Sequence, residues 1–311
     1  MRAKSSQHGL MLWTVNPFQD SSRTLKNAAR ILELLAGRTG MAALPVFVAT
    51  PAEANLTLEF SIPAKERMSR VATEAGRKIL KKFMFPALRP LRVLVENHLR
   101  LSAGAARLAR EAQAVKAELI LCGTQTRGWE RWVLGSFASA LLAVSKVGIV
   151  FVNPRLRKNL SFRRLLFATD FSKESLRAFE KFCVLAQKLG AEVDLFHVLA
   201  APYRWAFSVS AYLFQSRALS AAQYLAQVKA EAREAAEPFL RLAARRHLKL
   251  NLHLQKSSAD ISTAILREAR RLKIDLIGMV ARSGKWEELT IGTASQGVLR
   301  EASVPLWLWR G

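Results

Sequence analysis

Apolar positions along the chain fall into two rhythms: short, nearly unbroken runs, and longer stretches in which they recur three or four places apart. The first suits a strand buried on both faces, the second an amphipathic helix lying over it. Gly9 to Val15 is the first run and stops at Asn16-Pro17. Ser21 or Ser22 caps a helix to about Ala36 with Leu25, Ala28, Ala29, Leu32 and Leu35 on one face, and Gly37 and Gly40 close it. Ala43 to Ala49 is a second strand, and Pro63 opens a long basic helix to about Phe83. A strand over Leu91–Glu96, a helix over Ser102–Lys116, a strand over Glu118–Cys122, a helix from Ser136 and a strand over Gly148–Val152 follow.

The same order then returns. Leu165–Thr169 is a strand, Ser172 caps a helix that turns Leu176, Phe179, Phe182, Leu185, Ala186 and Leu189 inward, and Gly190 stops it. Glu192–Leu199 is the next strand, and Ala200–Leu219 is an insertion carrying Tyr203, Trp205, Phe207, Tyr212 and Phe214. A helix over Ser220–His247, a strand over Lys249–Gln255, a helix over Ile261–Leu272 and a strand over Asp275–Met279 come next. Thr293–Ala302 and Pro305–Trp309 complete the set. Strands alternating with helices predict α/β architecture with doubly wound parallel sheets.

The two sets are copies. Leu119–Val152 (LILCGTQTRGWERWVLGSFASALLAVSKVGIVFV) lies over Leu276–Trp309 (LIGMVARSGKWEELTIGTASQGVLREASVPLWLW) at a constant offset of 157 without a gap. Trp129 meets Trp286, Gly135-Ser136 meets Gly292-Thr293, and Val147 meets Val304. Self-similarity at a period of about half the chain length marks a duplicated domain. The basic segment Asn153–Arg164 (NPRLRKNLSFRR) reads as a connector, giving a domain over 1–154, a linker over 155–164 and a domain over 165–311. A polybasic binding site is the other reading of that segment.

Half of the 311 residues are hydrophobic, enough for a core in each half. The longest charge-free apolar stretches, Trp132–Ser145 and Trp205–Ser216, are too short to span a bilayer, and the N-terminal MRAKSSQHGLMLW carries no secretory signature. Cys122 and Cys183 have neither disulfide nor metal spacing and read as buried thiols of a soluble, cytoplasmic chain. Charge changes the picture: 48 Lys+Arg against 24 Asp+Glu leave +24, which favours nucleotides, nucleic acid or acidic lipid as partners. The cations are spread along helices (Arg70, Arg77, Lys78, Lys81, Lys82; Arg241, Arg245, Arg246), as on solvated faces.

The stretch LLFATDFSKESLRAFEKFCVLAQKLGAEVDLFHVL resembles the opening of a universal stress protein domain: strand, Asp, Ser-capped helix, Leu-Gly-Ala, and a strand ending in His-Val. IDLIGMVARSGKWEELTIGTASQGVLREASVPLWLW resembles that family's closing strand, glycine loop, Gly-Ser/Thr helix and Val-Pro before the last strand. The resemblance covers Leu165–Trp309 almost wholly; over Leu10–Val152 it rests on the closing repeat and on VNPFQDSSRTLKNAARILELLA. The chain is thus similar to a tandem universal stress protein. That implies two Rossmann-like, adenine-nucleotide alpha-hydrolase-like domains, each a five-stranded parallel sheet with about four helices. It further implies ATP or a related adenine nucleotide, with Mg accompanying it, at the strand carboxyl ends, and self-association as a pseudo-dimer of the two halves or a homodimer. The physics agrees, because such sheets bind ligands in the crevice beyond those ends, where loop N–H groups and a helix N-terminus favour phosphate.

The family pattern is G-x2-G-x9-G-[ST], with an Asp after the first strand beside the nucleoside. In the first half Gly123, Gly135 and Ser136 match, with the loop one residue shorter than the pattern; Thr126 stands at the middle Gly, and Asn16 replaces the Asp. In the second, Asp170, Gly292 and Thr293 match, Val280 and Ser283 replace glycines, and Val198 ends the second strand; Gly128 and Gly284 lie close by.

Each of these residues also has a purely structural reading. Gly135 and Gly292 suit tight strand-to-helix turns, Asp170 suits the first turn of the Ser172 helix, and His197 suits a packed core position. Trp129 and Trp286 suit packing between the halves or stacking on a base, and the aromatic insertion suits a lid, a dimer contact or a partner site. Paired carboxylates, a Ser/His/Asp set and a metal-ligand cluster are not evident; Glu287 and Glu288, the carboxylates near Gly292, read as solvated loop charges. Catalysis beyond weak ATP hydrolysis is therefore not expected. Two functions remain: a non-catalytic, nucleotide-responsive stress protein holding ATP in one half, or a nucleotide-free scaffold whose basic surface binds nucleic acid or other anionic partners.

Overall fold

The computed structural model describes residues 9–51, 61–98, 100–124, 126–127, 131–132, 136–200, 221–257, 259–281 and 292–310, with main chain only at 126–127, 131–132, 200, 221–222 and 224. The insertion 201–219 and its aromatic residues, Trp129, Trp286, Glu287 and Glu288 lie outside the described residues.

The first half runs β1 (Leu10–Thr14), α1 (Ser22–Thr39), β2 (Ala42–Ala49), α2 (Ile62–Leu80), β3 (Arg92–Val95), α3 (Leu101–Ala114), β4 (Ala117–Gly123), the two short strands β5 (Thr126–Arg127) and β6 (Arg131–Trp132), α4 (Ser136–Val144) and β7 (Ile149–Val152). The second runs β8 (Arg164–Ala168), α5 (Lys173–Leu189), β9 (Glu192–Ala200), α6 (Ala221–Arg245), β10 (Leu250–Ser257), α7 (Ile261–Arg271), β11 (Leu276–Val280), α8 (Thr293–Glu301) and β12 (Leu306–Trp309). Helix ends follow local chemistry. Ser21 caps α1 by accepting the Thr24 N–H at 3.2 Å, and Gly40 closes it in the left-handed region at φ 71°. Gly37, expected to share that role, is an ordinary helical position with open space around it. Ser172 and Gly190 frame α5 in the same way.

The strands form one ten-stranded sheet in the order β10-β9-β8-β11-β12-β7-β4-β1-β2-β3. Within each half the pairing is parallel and the order is third, second, first, fourth, fifth, so the topological switch point lies between the first and fourth strands. The halves join through β7 and β12, which pair antiparallel as Phe151↔Leu306, Val150↔Trp307 and Ile149↔Leu308. At the offset of 157, Val150 is the counterpart of Trp307, Ile149 of Leu306 and Phe151 of Leu308. The pairing therefore maps onto itself, as in an isologous dimer, with its pseudo-two-fold axis between Val150 and Trp307.

Around that axis α1 packs on α5, and the connector threads between the halves. Asn27 Nδ2 donates to the Pro154 carbonyl at 3.0 Å, Arg30 Nη2 to the Arg157 carbonyl at 2.8 Å, and Asn153 Nδ2 to the Leu299 carbonyl at 3.3 Å. Leu156, Leu160 and Phe162 of the connector are buried, so the segment read as a linker is also part of the core. In the second half the buried Asp194 ties three strands together: it takes the Arg164 guanidinium fork at 2.6 and 3.0 Å, Asn251 Nδ2 at 3.2 Å and His253 Nε2 at 2.8 Å. Burial alone would raise its carboxyl pKa, but the Arg164 and His253 hydrogen bonds more than offset this and hold it below the usual range.

The axis position is asymmetric in size. Trp307 is buried, and a Cβ added at Gly148 would collide with its indole ring; the counterpart positions carry Val150 and Pro305. Gly148→Ala should therefore cost about 1–3 kcal/mol by overpacking a rigid ring. Adding Trp307→Val should make the Gly148→Ala step nearly neutral, as urea unfolding of the four-member cycle would read. An equal cost in both backgrounds would contradict the account.

Candidate site at the carboxyl ends of the strands

In the second half a cleft of about 290 Å³ opens where β8, β9 and β11 end and α8 begins. Asp170, Val198, Val280, Gly292 and Thr293, marked separately in the sequence, all line it. Ser283, Gly284, Gly128 and Gly135 lie outside the described residues, as does the side chain of Thr126.

The floor is built by main-chain economy. The Thr169 hydroxyl meets the Ser175 hydroxyl at 2.8 Å and accepts the Phe171 N–H at 2.9 Å, which holds Phe171 in the left-handed region at φ 60°. The Phe171 ring then lies against the His197 imidazole with centroids 4.5 Å apart, and His197 donates from Nδ1 to the Thr169 carbonyl at 2.8 Å. His197 is thus both tied into the core and on the cleft wall. Asp170 is exposed; its Oδ1 accepts the Ser172 N–H at 3.0 Å and the Ser172 hydroxyl at 2.7 Å, so it supports the start of α5 while one edge faces the cleft.

At the opposite wall, Gly292 precedes α8 with no side-chain cap. Its N–H goes to the Ala281 carbonyl at 3.0 Å, and the Ser295 hydroxyl donates to the Val280 carbonyl at 3.1 Å. The first-turn N–H groups have no intrahelical acceptor by construction, and they carry the positive end of the helix dipole. Ile261 and Ile265 of α7 add an apolar side with Met279 and Phe196. The sequence reading missed them; their signal was Ile261, an apolar residue at the first helical position that remains 54% exposed.

The first half differs. Asn16 follows β1, but its Oδ1 accepts the Phe18 N–H at 3.0 Å and its N–H donates to Asp20 Oδ2 at 2.7 Å, a closed turn. A Cβ at Gly123 would strike Thr24, so that glycine answers close packing of α1 on β4. Ser136 starts α4 and is exposed. Asp20, which the sequence reading passed over, is a half-buried carboxyl whose pKa is pushed up to about 6, chiefly by burial and against the Asn16 hydrogen bond. Cys122 nearby is pushed up to about 12, again first by burial, with the Asp20 charge adding to it. Among the described residues no group of three or more His, Cys, Asp or Glu gathers to hold a metal, and no helix is long and apolar enough to cross a membrane.

The folded chain holds the Asp20 proton more tightly than the unfolded chain. The stability this brings is complete below about pH 4 and is lost as pH rises through about 6. Asp20→Asn should therefore gain about 1–2 kcal/mol over wild type at pH 8 and nothing at pH 4, after discount for partial exposure. Urea unfolding at the two pH values reads this; a gain independent of pH would refute it.

The sequence profile of the universal stress protein family matches residues 14–153 and again residues 161–310. A universal stress protein from Archaeoglobus fulgidus DSM 4304 has the same fold with a TM-score of 0.61 at 18% identity, over 98% of this chain and 99% of that one. A putative universal stress protein from Pseudomonas aeruginosa UCBPP-PA14 gives 0.55 at 13% identity, over 98% and 94%. At such identities the likeness establishes the fold. No protein among the curated sequences matches the chain.

Proposed function

The chain belongs to the universal stress protein family, in tandem form, and on that premise we propose that it is a non-catalytic stress-response protein that senses an adenine nucleotide through its second half. The observation that carries this reading is the convergence of Asp170, Val198, Val280, Gly292 and Thr293 on one cleft at the switch point between β8 and β11. An apolar wall of Ile261, Ile265 and Met279 suits a purine face, Asp170 suits ribose hydroxyls, and the uncapped start of α8 suits phosphate. A Mg2+ would ride in on the phosphates.

Binding and not turnover is part of this reading: Asp170 is the single carboxylate among the described residues that line the cleft, and Ser172 already engages its Oδ1.

Val280 supplies a branched side chain where the family pattern has glycine, which predicts weak, millimolar-range rather than tight binding. Gly292 has ordinary backbone angles and only the Ala281 carbonyl, at 3.6 Å, near an added Cβ, so Gly292→Val should fold while covering the phosphate wall. Calorimetric titration with ATP should show binding weakened at least about tenfold, 1.4 kcal/mol, by that change. Affinity untouched by Gly292→Val would remove the second half as the site, and no binding at millimolar ATP would remove nucleotide altogether.

A second reading rests on charge. Arg67, Arg70, Arg77, Lys78, Lys81 and Lys82 are all exposed along α2 and the turn after it, on a chain of +24. Binding of nucleic acid through such a face should fall steeply with salt. Its absence at low ionic strength would leave the nucleotide reading alone.

A further inference from the structure

The axis that relates the halves also relates two grooves flanking the seam, and their contents differ. One runs between α1 and the segments that lead into β11 and β12. The connector fills it. The Arg157 N–H donates to the Ser303 carbonyl at 2.8 Å, its carbonyl accepts Arg30 Nη2 at 2.8 Å, and Arg38 Nη1 donates to the Ser161 carbonyl at 3.0 Å. Asp275 then receives Arg157 Nη2 at 2.5 Å, the Ser161 hydroxyl at 2.8 Å and the Arg163 N–H at 3.1 Å. A basic, turn-containing stretch of polypeptide thus lies along the groove, held by its main chain and answered by one carboxylate.

The mate of that groove runs between α5 and the segments leading into β4 and β7. At the offset of 157 Glu118 stands for Asp275 and Lys146 for Ser303; Lys188, two residues before Gly190, stands for Arg38, two before Gly40. No described segment covers this groove. It forms a cleft of about 270 Å³ with Val147, Val184 and Leu185 on its walls, Trp307 and Trp309 beside them, and Lys146 and Lys181 on its rim. It keeps the signs of its mate, Glu118 for Asp275 and Lys188 for Arg38, and adds a cation, Lys146, where the mate has Ser303. Glu118 is taken directly by Lys188, whereas the first groove's Arg38 and Asp275 are bridged by Ser161. Among the described residues the Lys146 and Lys181 ammonium groups have no ion pair or hydrogen bond, and both residues are exposed.

We propose that this second groove is a docking site for an acidic segment of a partner polypeptide, its carboxylates on Lys146 and Lys181 and an apolar side chain against Trp309 and Val184. The filled groove shows that this surface packs against a polypeptide segment; the unpaired lysines select acidic side chains; the indole of Trp309, whose Nε1 is already satisfied by the Lys146 carbonyl at 3.1 Å, offers an apolar face.

The test uses the full chain and a fluorescein-labelled peptide with the connector's own sequence over 154–163, in which glutamate replaces the residues at 155, 157, 158 and 163. Fluorescence anisotropy in about 150 mM salt, where long-range attraction is screened, reads the affinity. Saturable binding should weaken at least about tenfold with Lys146→Glu plus Lys181→Glu, and equally when serine replaces the peptide's leucines and phenylalanine, while Arg77→Glu plus Lys78→Glu on α2 leaves it unchanged. Equal loss from both charge reversals, or full affinity of the serine peptide, would make the binding diffuse electrostatics and overturn the proposal. Absence of binding would overturn it too, and so would a gain of more than about tenfold on removal of residues 1–8, which would make that arm the occupant.

Discussion

The pairing of β7 with β12 is the contact on which the rest depends. Each half closes its parallel sheet with a strand of four apolar residues, Ile149–Val152 or Leu306–Trp309, and either alone would be an open, sticky edge. Antiparallel pairing buries both at once and turns two sheets into one. It also fixes direction: strands of one half run against those of the other, so their carboxyl ends emerge on opposite sides of the sheet. The two crevices cannot share a ligand, and each must be completed by its own loops and helices.

Freed from sharing, the crevices diverged. The second keeps an apolar wall, an acid at the β8 end and an uncapped helix start opposite. The first carries after β1 the Asn16–Asp20 turn, with a carboxyl that burial pushes toward neutrality. The seam stays common to both, held by Asn27, Arg30 and Arg38 on backbone carbonyls, bonds that depend on main-chain position and less on ionic strength than surface ion pairs do.

Most of the fold was legible because it rests on local rules. Runs such as LLFAT and LIGMV are strands buried on both faces, and Ser21, Ser172, Gly40 and Gly190 punctuate helices by their own chemistry. The repeat at 157 announced the second domain, and its register even carries the symmetry of the seam. The site was half legible. Positions tied to a pattern, Asp170 and Gly292-Thr293, were marked and do converge on the cleft, whereas Ile261 and Ile265 reach it through the tertiary approach of α7 and no motif spacing marks them. Gly123 has a packing reason beside its place in the pattern: an added Cβ would strike Thr24 on α1. The connector looked like a tether because its Arg and Asn residues are polar, but Leu156, Leu160 and Phe162 are what place it.

That placement has a consequence for chain order. In two separate, identical subunits both flanking grooves would be equal, and nothing in either domain decides which one is occupied. Covalent linkage decides it, since a single strap leaving β7 and entering β8 can lie along only one of the two. A circular permutant that begins at β8 and links β12 to β1 would carry the strap to the α5 side and bare the α1 side, exposing Asp275 in place of Lys146. The handedness of the surface, which face is sealed and which is offered to others, is thus written in the direction of synthesis, and two proteins with the same ten strands could differ in it completely.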